Sequence, residues 1–140
     1  MSAPVILKEV LASTYVLYLN TQKSHWNVTG PQFHSLHEMF EGQYKGLAAA
    51  IDTLAERIRT LNELSPGSFE EFAKLSKVSS ATDMESNATK LVQNLITGHE
   101  AVLHLLKDGL DKVDPATEDM FINRIQEHDK TVWMLKSMIA

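Results

Sequence analysis

The chain has 140 residues, 44% hydrophobic and 22% charged, with a formal net charge of −5 and no cysteine. That length suits one domain with a real core, so residues 1–140 are read as a single unit. Disulfides and thiolate chemistry are excluded, and the acidic balance argues against a general phosphate-binding surface. Lys8 and Glu9 interrupt the apolar run Val5-Ile6-Leu7, so neither a signal peptide nor a membrane span is expected, and a cytoplasmic protein is.

A first helix is predicted over about 4–28, with Pro4 suited to its first turn and an apolar face through Leu7, Val10, Leu11, Leu17 and Tyr18. Thr29-Gly30-Pro31 breaks it and turns the chain. A second helix begins near Phe33. Its stripe of Phe33, Leu36, Phe40, Tyr44, Leu47, Ile51, Leu54, Ile58 and Leu61 steps by threes and fours, the clearest amphipathic pattern in the chain. Ser65-Pro66-Gly67 ends that unit, and Ser68 with Glu71 forms a capping box for a short helix carrying Phe69, Phe72 and Leu75. Residues 77–83 read as a loop. A further helix is predicted over about 84–113, with Leu91, Leu95, Val102, Leu105 and Leu106 inward. Asp114-Pro115 closes it and opens the last helix, striped by Phe121, Ile125, His128, Val132, Leu135 and Ile139. The predicted fold is all-α: four long helices, with a short helix riding on the long connection between the second and third.

The second helix also carries a polar constellation. His37 and Glu41 lie a turn apart, as do Asp52 and Glu56, and the pairs are separated by about 22 Å of helix. Ligand bonds to iron or zinc are about 2 Å long, so one chain cannot close both pairs on one ion. Two copies crossing antiparallel can, in a register where residue numbers add to 93, so that His37 faces Glu56 and Glu41 faces Asp52. Ala48 and Ala49 sit near the midpoint and permit close approach. Charges spaced four apart on a helix are most often a solvated face. Here such a face would have to match itself under a two-fold operation by accident, and carboxylates gathered on one flank repel unless a cation sits between them.

His25 lies about one and a half turns before the Gly30-Pro31 corner and His37 about the same distance beyond, which places them side by side in an antiparallel hairpin. Imidazoles and carboxylates make a borderline donor set suited to iron, zinc or manganese. His34 reads as a solvated neighbour or an outer-shell group, Glu100 and His104 as a surface pair, and His128 as a hydrogen-bonded core histidine; His99 offers no signal. None matches the Glu-x-x-His pattern of carboxylate bundles that hold two irons within one chain, which places the site at a subunit boundary.

The run His25-Trp26-Asn27-Val28, then Gly30, Phe33, His37-Glu38, Asp52 and Ala55-Glu56-Arg57, with Val132-Trp133-Met134-Leu135 near the end, resembles the Dps miniferritins, named for DNA protection during starvation. The resemblance implies a ferritin-like four-helix subunit with a short helix in the crossover, twelve of which form a hollow shell. It implies a ferroxidase that oxidises Fe(II), preferentially with hydrogen peroxide rather than oxygen, between two-fold-related subunits, stores the ferric mineral and so protects the cell from oxidative damage. Carried over by position, His25 and His37 come from one subunit and Asp52 and Glu56 from its partner. Glu41 stands where many relatives have Asp, and Trp26 is similar to a family tryptophan beside the site. Asp114, Glu118 and Asp119 are implied as lining of an iron-entry pore. The alternative is a nucleoid-binding stress protein with secondary metal binding. The chain goes almost at once into its first helix and ends without a basic extension, and twelve copies would carry about −60, so direct DNA binding is not expected.

Overall fold

The computed structural model describes residues 2–140 and contains five helices: α1 (Ala3–Asn27), α2 (Phe33–Thr60), α3 (Phe69–Leu75), α4 (Ala88–Gly109) and α5 (Pro115–Met138). α1 pairs with α2 and α4 with α5, each as a hairpin, and α1 also packs on α3 and α4. The backbone of Thr29, at the α1–α2 corner, bridges that of Asn87, just before α4, so α2 and α4 start at the same end and run parallel. A connection holding α3 makes that possible by carrying the chain back along the bundle.

Phe40, Phe121, Leu7, Leu11, Leu17, Leu36, Leu54, Ile58, Leu95, Leu106 and Leu135 are fully buried at the centre. Each such side chain contributes about 1.5–3 kcal/mol relative to exposure. α1 is buried around more of its circumference than α2, on Ala12, Ser13, Thr14, Thr21 and Ser24 as well as its apolar stripe. The hydroxyls of Thr14, Thr21 and Ser24 donate to carbonyls four residues back, which satisfies them without a tertiary partner. Gly98 lets α4 approach α1 closely, since a Cβ there would lie 2.8 Å from Leu17 Cδ1.

The crossover is pinned to α1 by polar clamps. Asn20 Nδ2 donates to Ser79 O and its Oδ1 accepts from Ala81 N, at 3.0 and 2.9 Å. Lys23 Nζ donates to the carbonyls of Ala81 and Asp83. The loop over 77–83 is therefore irregular, as its sequence indicates, and well tied down.

Three predicted boundaries move. α4 begins at Ala88 rather than near Met84, because Asn87 accepts a hydrogen bond from Lys90 N and caps the helix there. Glu85 holds the extended entry by accepting from Ser86 N and Asn87 N, and Met84 is left exposed. α4 also ends at Gly109 rather than at Val113, with bends leading to Asp114. α2 stops at Thr60, ahead of Ser65-Pro66-Gly67, where Asn62 adopts a left-handed conformation with φ 66°. The short helix is capped as predicted at its first residue: Ser68 Oγ accepts from Glu71 N, while the Glu71 carboxylate accepts from Gly67 N. No helix among the described residues is long and apolar enough to cross a membrane.

Candidate metal centre

The Gly30 corner, with φ 108°, folds the end of α1 against the start of α2 and brings His25 and His37 into contact. Their rings stack with centroids 3.8 Å apart and planes 13° from parallel. His25 Nδ1 lies 2.6 Å from His37 O, and His37 Nδ1 lies 2.7 Å from His25 O. Carbonyl oxygens only accept, so both Nδ1 atoms must carry the hydrogen and donate. In the neutral rings each imidazole thereby fixes the tautomer of the other and leaves the lone pair on Nε2. That is the state a metal-binding imidazole needs, with the other nitrogen held by a carbonyl.

Surrounding rings set the orientation. Phe33 stacks on His37 at 4.9 Å, and Tyr44 meets His25 edge-on at 5.4 Å. His25 is buried and His37 half-buried. Glu41, one turn beyond His37, places Oε1 3.8 Å from His25 Nε2, while its Oε2 accepts from Lys45 Nζ at 3.0 Å. That hydrogen bond and the Lys45 charge hold the Glu41 carboxyl below its ordinary value.

Asp52 and Glu56 are exposed further along α2, past exposed Ala48 and Ala49. The fold brings His25, His37 and Glu41 together and leaves Asp52 and Glu56 apart from them. Among the described residues, no three His, Cys, Asp or Glu side chains of one chain converge closely enough to hold an ion. A single chain presents two oriented imidazoles at one end of an exposed α2 flank and two carboxylates at the other.

A family model described as Ferritin-like domain matches residues 5–140. The chain is 31% identical to DNA protection during starvation protein 2 of Bacillus anthracis, over 96% of this chain and 94% of that protein. It is 38% identical to a low temperature-induced protein of Nostoc sp., over 96% of this chain and 78% of the relative. Its structure superposes with a TM-score of 0.92 and 34% identity on the crystal structure of the Dps protein from Vibrio cholerae O1, covering 98% of this chain and 88% of that one; that protein is described as a member of a broad superfamily of ferritin-like diiron-carboxylate proteins. The chain belongs to the Dps family of ferritin-like proteins.

In this Dps chain Trp26 follows His25 and is 62% exposed, on the surface of the subunit rather than in its core. The three acids at the start of α5 are not equivalent. Asp114 caps the helix, accepting from Thr117 N and from the Thr117 hydroxyl, and it pairs with Arg57 of α2 at 2.6 Å. Those Thr117 hydrogen bonds, then Arg57, hold its carboxyl below its ordinary value. Both Asp114 oxygens are thus engaged within the chain. Glu118 is half-buried and Asp119 exposed one turn on.

The other histidines divide cleanly. His34 makes an exposed pair with Glu38, and Glu100 lies 3.8 Å from Lys136 of α5. His128 is a buried, hydrogen-bonded core residue, as its place in the α5 stripe indicates. Its partner is His99, which the sequence reading passed over. The signal was present: His99 falls four residues after Leu95 and three before Val102, on the buried stripe of α4.

Proposed function

We propose that this Dps chain is a ferroxidase and iron store, with Fe(II) as substrate bound between two antiparallel copies of α2. His25 and His37 of one subunit would supply Nε2 lone pairs, and Asp52 and Glu56 of the partner subunit would supply carboxylate oxygens. Glu41 stands ready as a further oxygen donor once Lys45 yields it. The observation that carries this reading is the reciprocal imidazole–carbonyl locking, which spends both Nδ1 atoms and leaves the Nε2 atoms, with Glu41 beside that of His25, as the donors available to a metal.

The chain's residues do three things in this scheme. The imidazoles would bind and orient the substrate through Nε2, because the two carbonyl bonds hold each ring by its Nδ1 hydrogen. The partner carboxylates neutralise the incoming dication. Trp26, beside the site on the surface, is placed to intercept stray oxidising equivalents. With hydrogen peroxide as acceptor, two Fe(II) each give up one electron, the O–O bond breaks, and hydrolysis yields two ferric oxyhydroxide units and four protons. Oxygen is the alternative acceptor, and zinc or manganese would occupy the same donors as substitutes. A dodecameric shell assembled from such dimers would hold the mineral inside, in the cytoplasm. Net charge of −5 per chain favours iron over DNA as partner.

Mixing two inactive variants tests the shared site. His37→Ala and Glu56→Ala should each lose peroxide-dependent Fe(II) oxidation. Unfolded together in equal amounts and refolded, they should recover about a quarter of wild-type activity, because half the dimers are mixed and each mixed dimer has one intact site. A site complete within one chain would leave the mixture as inactive as its parents.

A further inference from the structure

On the flank of α2 turned away from His37 and Glu41, a cavity of about 800 Å³ lies between α2, α4 and α5. Gly42 and Gly46 open gaps in its α2 wall beside Glu38, Gln43 and Leu47, and a Cβ built at either would meet nothing within 4 Å. Gln43, His99, Arg124 and His128 border it.

His99 and His128 are each 1% exposed, with Nδ1 atoms 2.8 Å apart. Arg124 Nη2 lies 3.3 Å from His128 Nε2. A guanidinium only donates, so His128 Nε2 accepts and its hydrogen sits on Nδ1. That hydrogen is donated to His99 Nδ1, which leaves the His99 hydrogen on Nε2. Burial keeps both rings neutral, pushing His99 down to about 3 and His128 well below its ordinary value. His99 Nε2–H is therefore a buried donor, and it has no partner. Arg124 Nε and both amide atoms of Gln43 are buried and unpartnered too. Burial opposes the Arg124 charge, with only Glu127 acting in its favour, and Arg124 makes no ion pair among the described residues.

Buried donors without acceptors are costly, as is a largely desolvated cation that makes no ion pair. A cation would meet the Arg124 charge and a protonated Nε2, and an apolar molecule would leave every donor unmet. An anion answers the donor and charge deficits and leaves only Gln43 Oε1 without a donor. We infer that this cavity binds a small oxyanion, gripped by Arg124, the His99 Nε2–H and the Gln43 carboxamide NH2. Glu38 and Glu127 also line the cavity, against Lys130, and restrict the ligand to one compact enough to avoid them. This site shares no residue with the α2 flank proposed to hold iron.

Isothermal titration calorimetry on the metal-free full chain at neutral pH, with ionic strength held by chloride, tests the inference. Inorganic phosphate and acetate serve as tetrahedral and planar probes. At least one should bind saturably, once per chain. Arg124→Gln should weaken that binding at least about tenfold, whereas Lys136→Gln on the surface should leave it unchanged. Should Arg124→Gln not fold, Gln43→Leu removes an uncharged contact and should weaken binding at least about threefold. No saturable binding of either probe by the wild-type chain would overturn the inference, as would equal affinity in wild type and the folded cavity variant.

Discussion

Lowering the pH of the metal-free protein from 7 to 5 interrogates the buried imidazole pair directly. His99 is held down to about 3 by burial and by the nearby Arg124 charge, whereas an unfolded histidine titrates near 6.5. Between those values the unfolded chain takes up a proton that the native chain excludes. Stability is therefore complete above about pH 6.5 and is lost as the pH falls toward 3. At pH 5 the loss from His99 alone is about 2 kcal/mol. His128 acts in the same direction, depressed by burial, by His99 and by Arg124. Glu38 of α2 and Glu127 and Lys130 of α5 line the same cavity and complete its charged surroundings. Urea unfolding at fixed chain concentration reads the effect: at about 1–3 kcal/mol per molar urea, the midpoint should fall by about 1 M between pH 7 and pH 5. The double variant His99→Phe/His128→Leu cannot titrate there, so its midpoint should move less by about that amount, whatever its absolute stability. Equal losses in wild type and double variant would refute the reasoning, because carboxylates common to both would then account for the whole change.

Other perturbations bear on separate parts of the molecule. Asp114→Ala deletes the α5 cap and the Arg57 partner together, and should cost about 1–2 kcal/mol, seen as a melting temperature lowered by several degrees. Lys45→Ala releases Glu41 Oε2 and should tighten Co(II) binding a few-fold, about 2- to 5-fold in a competition titration, because the carboxylate no longer has to leave its lysine; weaker binding would mean that Lys45 positions Glu41 for the metal. Asn20→Ala breaks both Asn20 hydrogen bonds to the crossover and leaves the Lys23 clamp in place, so limited proteolysis should cut within 77–83 faster, while α2 and α5 stay protected.

The helical content and the order of elements were written in the chain. Strongly periodic stripes such as Phe40, Leu47, Leu54 and Ile58 can be buried by only one kind of element, so α2 emerged with its core face correct. The Ser68–Glu71 signature and the Asp114-Pro115 step likewise act within one turn, and local hydrogen bonds settled them. Boundaries set by competition between neighbours were harder: Asn62 and Asn87 ended or began helices because their side chains or backbones suited a cap, where longer-range punctuation pointed elsewhere.

For the candidate site, the twelve-residue spacing across the Gly30 corner was enough to place His25 beside His37. The exchange of hydrogen bonds between each ring and the other's carbonyl was not legible, since it depends on how tightly the hairpin closes. The resemblance implied Asp114 as a pore acid, and its hydrogen bonds from Thr117, with the approach of Arg57 from the far end of α2, engage its oxygens within the chain. His99 shows the division most sharply. Its position on the α4 stripe dictated burial, but its partner lies 29 residues away on another helix. Periodicity reports which face of a helix turns inward; it carries no information on which polar atoms meet once the faces pack. That was decided by the docking of α4 on α5 and by the missing side chains at Gly42 and Gly46, because hydrogen bonds need contact at about 3 Å while a hydrophobic stripe tolerates any apolar neighbour.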